Sequence, residues 1–194
     1  MSVLLIAGSP SEHSRSAALL DAVAQRLGLR QALIDRLRIR DLSPQALLLA
    51  DITHKTVQHA LAQIASARAV VVATPVYKAA YSGVLKVFLD LLPQNGLQGK
   101  AVLPLATGGS PHHMLALDYA LRPVLQSLGA RHILPGVYAS DAQLPKDDAG
   151  EYHTTPDIEQ RLDDAVQHLL HDGLRMPPSG AFAPVPFAQV RCSV

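Results

Sequence analysis

The chain has 194 residues, 48% of them hydrophobic and 17% charged, and its 17 Lys and Arg against 16 Asp and Glu leave a formal net charge of +1. That length suits one domain with a sizeable core, the even charge balance argues against a nucleic-acid partner, and no apolar run is long enough for a membrane helix. The one cysteine, Cys192, leaves no internal disulfide possible, and the N-terminal apolar run has no charged leader, so no signal peptide is read and a cytoplasmic protein is expected.

Val3 to Ala7 is a continuous apolar run, as in a strand buried on both faces. Gly8, Ser9 and Pro10 stop it, and apolar residues recur at helical spacing from Ala17. Ala32 to Ile39 reads as a more polar strand at a sheet edge. Asp41 to Asp51 is a connection with room for one helical turn, and Thr53 or Thr56 is expected to cap a helix running to about Ala67. Ala69 to Thr74 is the most strand-like segment, followed by a helix over Gly83 to Leu92. Ala101 to Ala106 reads as a fourth strand weakened by Pro104, and Pro111 to Leu128 as one long helix ended by Gly129. His132 to Ala139 is a fifth strand interrupted by Pro135 and Gly136. A polar loop from Leu144 leads to a last amphipathic helix, Pro156 to Leu170. The domain is expected over residues 1–172, with 173–194 a proline-rich tail.

Strands alternating with helices imply an α/β protein with a doubly wound, five-stranded parallel sheet. In the flavodoxin-like order, 2-1-3-4-5, ligands bind at the switch between the first and third strands. Three loops then share one sheet edge. The first carries Ser9, Ser11, Ser14, Arg15 and Ser16 at a helix start, where free N–H groups and the helix dipole attract phosphate. The second, Thr74 to Gly83, offers Tyr77 and Tyr81 as flat surfaces for an aromatic ring. The third, Thr107 to His113, holds Gly108 and Gly109, which let backbone approach a ligand closely. There is no GxGxxG and no GxxxxGK[ST], and no cysteine falls in the first loop, so dinucleotide, nucleotide-triphosphate and cysteine-phosphatase loops are set aside. A flat heteroaromatic ring with a phosphate tail remains, and FMN fits that description.

The stretches GSPSEHSRS, ATPVYKAAYSGVLKVFLDLLP, LQGKAVLPLATGG and LDYALRPVL resemble the NADPH-dependent FMN reductases of two-component alkanesulfonate monooxygenase systems, from about Val3 to Val137. The resemblance implies a flavodoxin-like fold, FMN as an exchangeable substrate, NADPH as reductant, and delivery of reduced flavin to a partner FMN-dependent monooxygenase. It implies phosphate contacts from Ser9, Ser14, Arg15 and Ser16, and ring and ribityl contacts from Pro75, Val76, Tyr77, Thr107, Gly108 and Gly109. Where many members carry an arginine soon after the Gly-Ser pair, this chain has Ser11, so Arg15 is left as the loop's cation. Other readings on the same fold are a quinone or azo reductase that retains FMN, and a flavodoxin-type electron carrier.

Hydride transfer between two cofactors asks little of side chains, so no catalytic acid or base is named. No metal site is expected: His112 and His113 are adjacent and point apart. His13 lies in the first loop and reads as exposed, Lys78 is a solvated loop cation of the right charge to attract the NADPH 2′-phosphate, and Lys86 and Asp90 are spaced for a helix ion pair. Pro123 leaves the Tyr119 carbonyl without its helical donor, so the long helix either kinks or widens into a π-bulge there. The resemblance tilts toward the bulge, with Tyr119 at a subunit interface. Leu115, Leu117, Leu121, Val124, Leu125 and Leu128 exceed what one sheet face can cover. A homotetramer, a dimer of dimers, is therefore expected.

Overall fold

The computed structural model describes residues 2–174. In chain order its regular elements are β1 (Ser2–Ala7), α1 (Arg15–Leu29), β2 (Leu33–Arg38), α2 (Pro44–Leu48), α3 (Lys55–Ser66), β3 (Ala69–Tyr77), β4 (Ala80–Tyr81), α4 (Gly83–Leu89), β5 (Ala101–Gly108), α5 (Arg122–Ser127), β6 (His132–Ile133), β7 (Val137–Ser140) and α6 (Pro156–His168). The expectation for the tail falls almost wholly on residues outside this range.

The sheet runs β2-β1-β3-β5-β6, with β7 pairing β5 beyond β6. Every one of these pairings is parallel. This is the expected flavodoxin-like order, in which β6 and β7 are two halves of the fifth strand. Ala101 and Val102 pair β6 and Leu105 to Gly108 pair β7, so the gap between the halves lies opposite Leu103 and Pro104. A proline has no N–H to give a ladder, and its tolerated place in a sheet is beside such a break.

Both faces of the sheet are covered, and the strand parity shows it. In β1, Val3 and Leu5 join the core under α1 and α6, while Leu4 and Ile6 join the core under α2 to α5. Leu19, Val23 and Leu27 of α1 and Ile158, Leu162 and Val166 of α6 recur at the four-residue spacing that lines one helix face, and all six are buried. β2 closes one edge, and its exposed and part-exposed residues fit that position.

Several boundaries differ from the sequence reading. α1 begins at Arg15 rather than Ala17, because Ser14 caps it by accepting from Ala17 N–H at 3.2 Å. α3 is capped by His54 and by neither threonine. Thr53 donates its hydroxyl to Asp51 at 2.6 Å, and His54 Nδ1 accepts from Thr56 N–H at 3.3 Å. α4 stops at Leu89 in a series of turns. β3 continues to Tyr77, because β4 folds back on it with Val76 opposite Tyr81. The two-residue turn between them, Lys78 and Ala79, has φ of +50° and +64°. Hairpin turns of this type ask for left-handed residues at both places, usually Asn-Gly.

The expected long helix is three pieces. Pro111–Met114 is a 3-10 turn, Leu117–Leu121 is π-helical, and α5 follows. The Arg122 N–H donates to Leu117 O, five residues back, so of the two alternatives the chain takes the bulge. Pro123 then sits in the first turn of α5, where its missing N–H costs little. Gly129, at φ +85°, ends the run as expected. α6 stops at His168 and widens into a second π turn, Leu169–Gly173.

Candidate functional site at the switch between β1 and β3

β1, β3, β5 and β7 all end on one edge, and the loops that leave them meet in a cleft. Its walls are Ser11, His13, Ser14, Arg15 and Ser16 from the first loop, Pro75, Val76 and Tyr77 from β3, Thr107, Gly108 and Gly109 from β5, and Asp141 and Tyr152 from beyond β7. Nine of the ten residues named for the ligand from the sequence are in that set. The tenth, Ser9, is buried behind it, where its hydroxyl accepts from Ser11 N–H at 3.1 Å and shapes the loop.

The loops are tied to one another. Gly8 N–H donates to Ala73 O at 2.8 Å, and a Cβ on Gly8 would stand 3.0 Å from that oxygen and 3.1 Å from Leu85 Cβ, so a larger residue would crowd the approach. The buried Ser82 hydroxyl caps α4 by accepting from Leu85 N–H and donates to Gly8 O. Ser82 N–H donates in turn to Thr74 Oγ1 at 3.0 Å. On the third loop, Tyr138 donates its hydroxyl to Ser110 O at 2.6 Å behind Gly108, where a Cβ would come within 2.8 Å of the phenol oxygen. Burial, then the nearby Asp141 charge, raises the Tyr138 phenol above its ordinary value of 10.0 and keeps it a donor. At Gly109 a Cβ would meet only Asp141 Oδ2, at 3.8 Å, so this glycine faces open space.

At the first loop, α1 presents its N-terminus. Ser14 and the buried Ser16 share a hydroxyl contact of 3.3 Å. The Arg15 Nε–H donates to Leu144 O at 3.3 Å, and Nη1 lies 3.4 Å from Asp141 Oδ2. The Tyr152 ring meets two cations, with Arg15 and Lys146 each 4.9 Å from its centroid.

Some expected roles fall elsewhere. Tyr81 is half-buried against the core and does not reach the cleft. Tyr77 remains about half exposed at the cleft rim. His13 is exposed and also lines the cleft. His112 is exposed, while His113 turns inward against Gly108 with a buried Nδ1 that has no partner. Lys78 stands in the turn of the β3–β4 hairpin, next to the cleft-lining Tyr77, and does not itself line the cleft. Lys86 and Asp90 form the expected ion pair, at 2.6 Å. Among the described residues no group of His, Cys, Asp and Glu is arranged to hold a metal, and no helix is long and apolar enough to cross a membrane. Tyr119 is 79% exposed in the π segment. Asp141 and Tyr152 were not anticipated. Asp141 directly follows β7, on the same sheet edge but outside the three loops that the switch rule named, and nothing local marked Tyr152.

Sheet order and cleft position together define a flavodoxin-like α/β protein with a cleft at the topological switch, where such folds bind ligands. A profile of the family described as NADPH-dependent FMN reductase matches residues 1–144. The chain is 44% identical over 171 residues to an FMN reductase (NADPH) of Escherichia coli K12, covering 86% of this chain and 87% of that one. It is 45% identical over 174 residues to an FMN reductase (NADPH) of Pseudomonas putida, covering 90% and 85%. The crystal structure of an NADH:FMN oxidoreductase in its apo form superposes with a TM-score of 0.79 at 39% identity, over 91% of this chain and 90% of that one. The chain belongs to the NADPH-dependent FMN reductase family, and with membership come its enzyme class, an oxidoreductase, and its cofactors, FMN and NADPH.

Proposed function

We propose that this protein reduces FMN in its switch-point cleft and releases FMNH2 to a separate FMN-dependent alkanesulfonate monooxygenase, in the cytoplasm. The observation that carries the reading is the convergence of three loops on one cleft: hydroxyls and a guanidinium at a helix N-terminus, an open glycine and an exposed tyrosine all line it. Those donors fit a phosphate tail and a flat ring. Ser14, Ser16, Arg15 and the first-turn N–H groups of α1 hold the phosphate. Thr107, Gly108 and Gly109 bring backbone to the ring edge, and Pro75, Val76 and Tyr77 form the wall beside it. When both cofactors are bound, the nicotinamide supplies a hydride to flavin N5, and a solvent proton completes FMNH2. The chain's part is to bind, stack and orient.

The cleft's size supports an exchangeable flavin: at about 270 Å³ it falls just below the ~300–1,000 Å³ of pockets that enclose a drug-sized ligand. The surface beside it supports assembly. Met114, Leu115 and Tyr119 are all more than half exposed on the irregular segment, while Leu117, Leu121 and Leu125 are buried. We propose that this row meets the same row of another subunit in a homotetramer, with Tyr119 at the interface.

The test is NADPH oxidation by purified protein with and without added FMN, after its visible spectrum is taken. Colourless protein that oxidises NADPH only when FMN is supplied is the expected result. A yellow protein that keeps stoichiometric FMN through gel filtration overturns the substrate-flavin reading and favours an FMN-retaining quinone or azo reductase, or an electron carrier.

A further inference from the structure

Among the described residues, Arg15 is the only Lys or Arg that lines the cleft, and Asp141 is the only carboxylate. They face each other at 3.4 Å, so the site's two formal charges cancel before any ligand arrives. Neither is sealed from solvent, with side-chain exposures of 33% and 46%. Arg15 has a further tie through Nε–H to Leu144 O, and the Tyr152 ring covers the guanidinium. These contacts hold the guanidinium beside Asp141 rather than leaving it free to turn toward α1's N-terminus.

Building on the reading that FMN places its phosphate in the first loop, we propose that Asp141 sets how weakly flavin is held. A dianionic phosphate that recruits Arg15 must displace or share the contact with Asp141, and it meets that carboxylate's charge at close range. Riboflavin carries no phosphate and meets neither effect. Asp141 is thus an affinity-limiting residue, and it gives an enzyme that must surrender its flavin a reason to do so. The opposite role, in which Asp141 holds Arg15 in place for the phosphate, makes the opposite prediction.

The test is fluorescence titration of FMN and of riboflavin against wild type, Asp141→Asn, Arg15→Ala and the double variant. Asp141→Asn is expected to tighten FMN about three- to tenfold and to leave riboflavin within about twofold. On the Arg15→Ala background the gain shrinks, because there is no guanidinium left to compete for. Unchanged or weaker FMN binding by Asp141→Asn overturns the proposal, and so does an equal change for both ligands, which places Asp141 at the ring. If circular dichroism shows Asp141→Asn to be misfolded, Asp141→Ser removes the same charge and is judged by the same outcomes. Equal binding of FMN and riboflavin by both wild type and Asp141→Asn overturns the placement of the phosphate itself.

Discussion

Ser82 is where the architecture of the cleft can be tested without any ligand. Its hydroxyl is 1% exposed as part of the residue, caps α4 through Leu85 N–H, and donates to the buried carbonyl of Gly8 in the first loop. Ser82→Ala removes both contacts. Loss of the cap costs about 1 kcal/mol, and the deserted carbonyl costs about 1–3 kcal/mol more. The expected loss of about 2–4 kcal/mol corresponds to a fall of roughly 4–16 °C in Tm for a chain of this size. Urea and thermal unfolding followed by circular dichroism measure it. Ser82→Gly separates the contributions, since glycine serves at a cap almost as well as serine, so what remains is mainly the Gly8 carbonyl. Because the same hydroxyl ties the first loop to the second, FMN binding should weaken along with stability. A loss below about 0.5 kcal/mol in Ser82→Ala would refute the bridging role, since that is the size of an ordinary surface change.

Three further outcomes follow from local geometry. Ala79 holds φ +64° in the β3–β4 turn, which costs an L-residue about 1–2 kcal/mol. Ala79→Gly should therefore stabilise the protein by about 0.5–1 kcal/mol once the extra freedom of the unfolded chain is counted, and a lower urea midpoint would contradict this. The Asp51 carboxyl is held below its ordinary value of 3.8, first by the Thr53 hydroxyl and then by the Thr53 N–H. Its stabilisation is thus present above pH ~4 and lost as the pH falls through the lowered value. The stability gap between wild type and Asp51→Asn should close on acidification, and a gap that stays constant down to pH ~2 would show that the charge is irrelevant. Tyr119→Ala should shift sedimentation toward smaller species and speed flavin release; wild type that sediments as a monomer at micromolar concentration would remove the interface.

The sheet was legible because its strands carry apolar residues on both faces, which only a doubly covered sheet requires. Val3 to Ile6 alone distributes side chains into both cores. The cleft was legible because the switch-edge rule names loops before it names residues, and the loops after β1, β3 and β5 do meet. What escaped was what depends on tertiary approach. Tyr81 looked like a ring platform, yet its place in β4, opposite Val76, turns it onto the core. Tyr152 is carried to the cleft by a single bridge to Lys146 and by its contact with Arg15. His54 takes the α3 cap while Asp51 engages Thr53. The π segment was half legible. Pro123 announced a defect, but a kink and a bulge absorb it equally well in sequence terms, and the Leu117 carbonyl found by Arg122 decides between them.

The central claim is that Arg15 and the start of α1 hold the phosphate of an exchangeable FMN. The most direct measurement is the affinity of wild type and Arg15→Ala for FMN and for riboflavin, taken side by side at one ionic strength. A charge-assisted phosphate contact is worth about 1.5–3 kcal/mol, so FMN binding should fall by about tenfold or more while riboflavin binding barely changes. Equal losses for the two ligands would mean that Arg15 only braces the loop through Leu144 and Asp141, and would contradict the account.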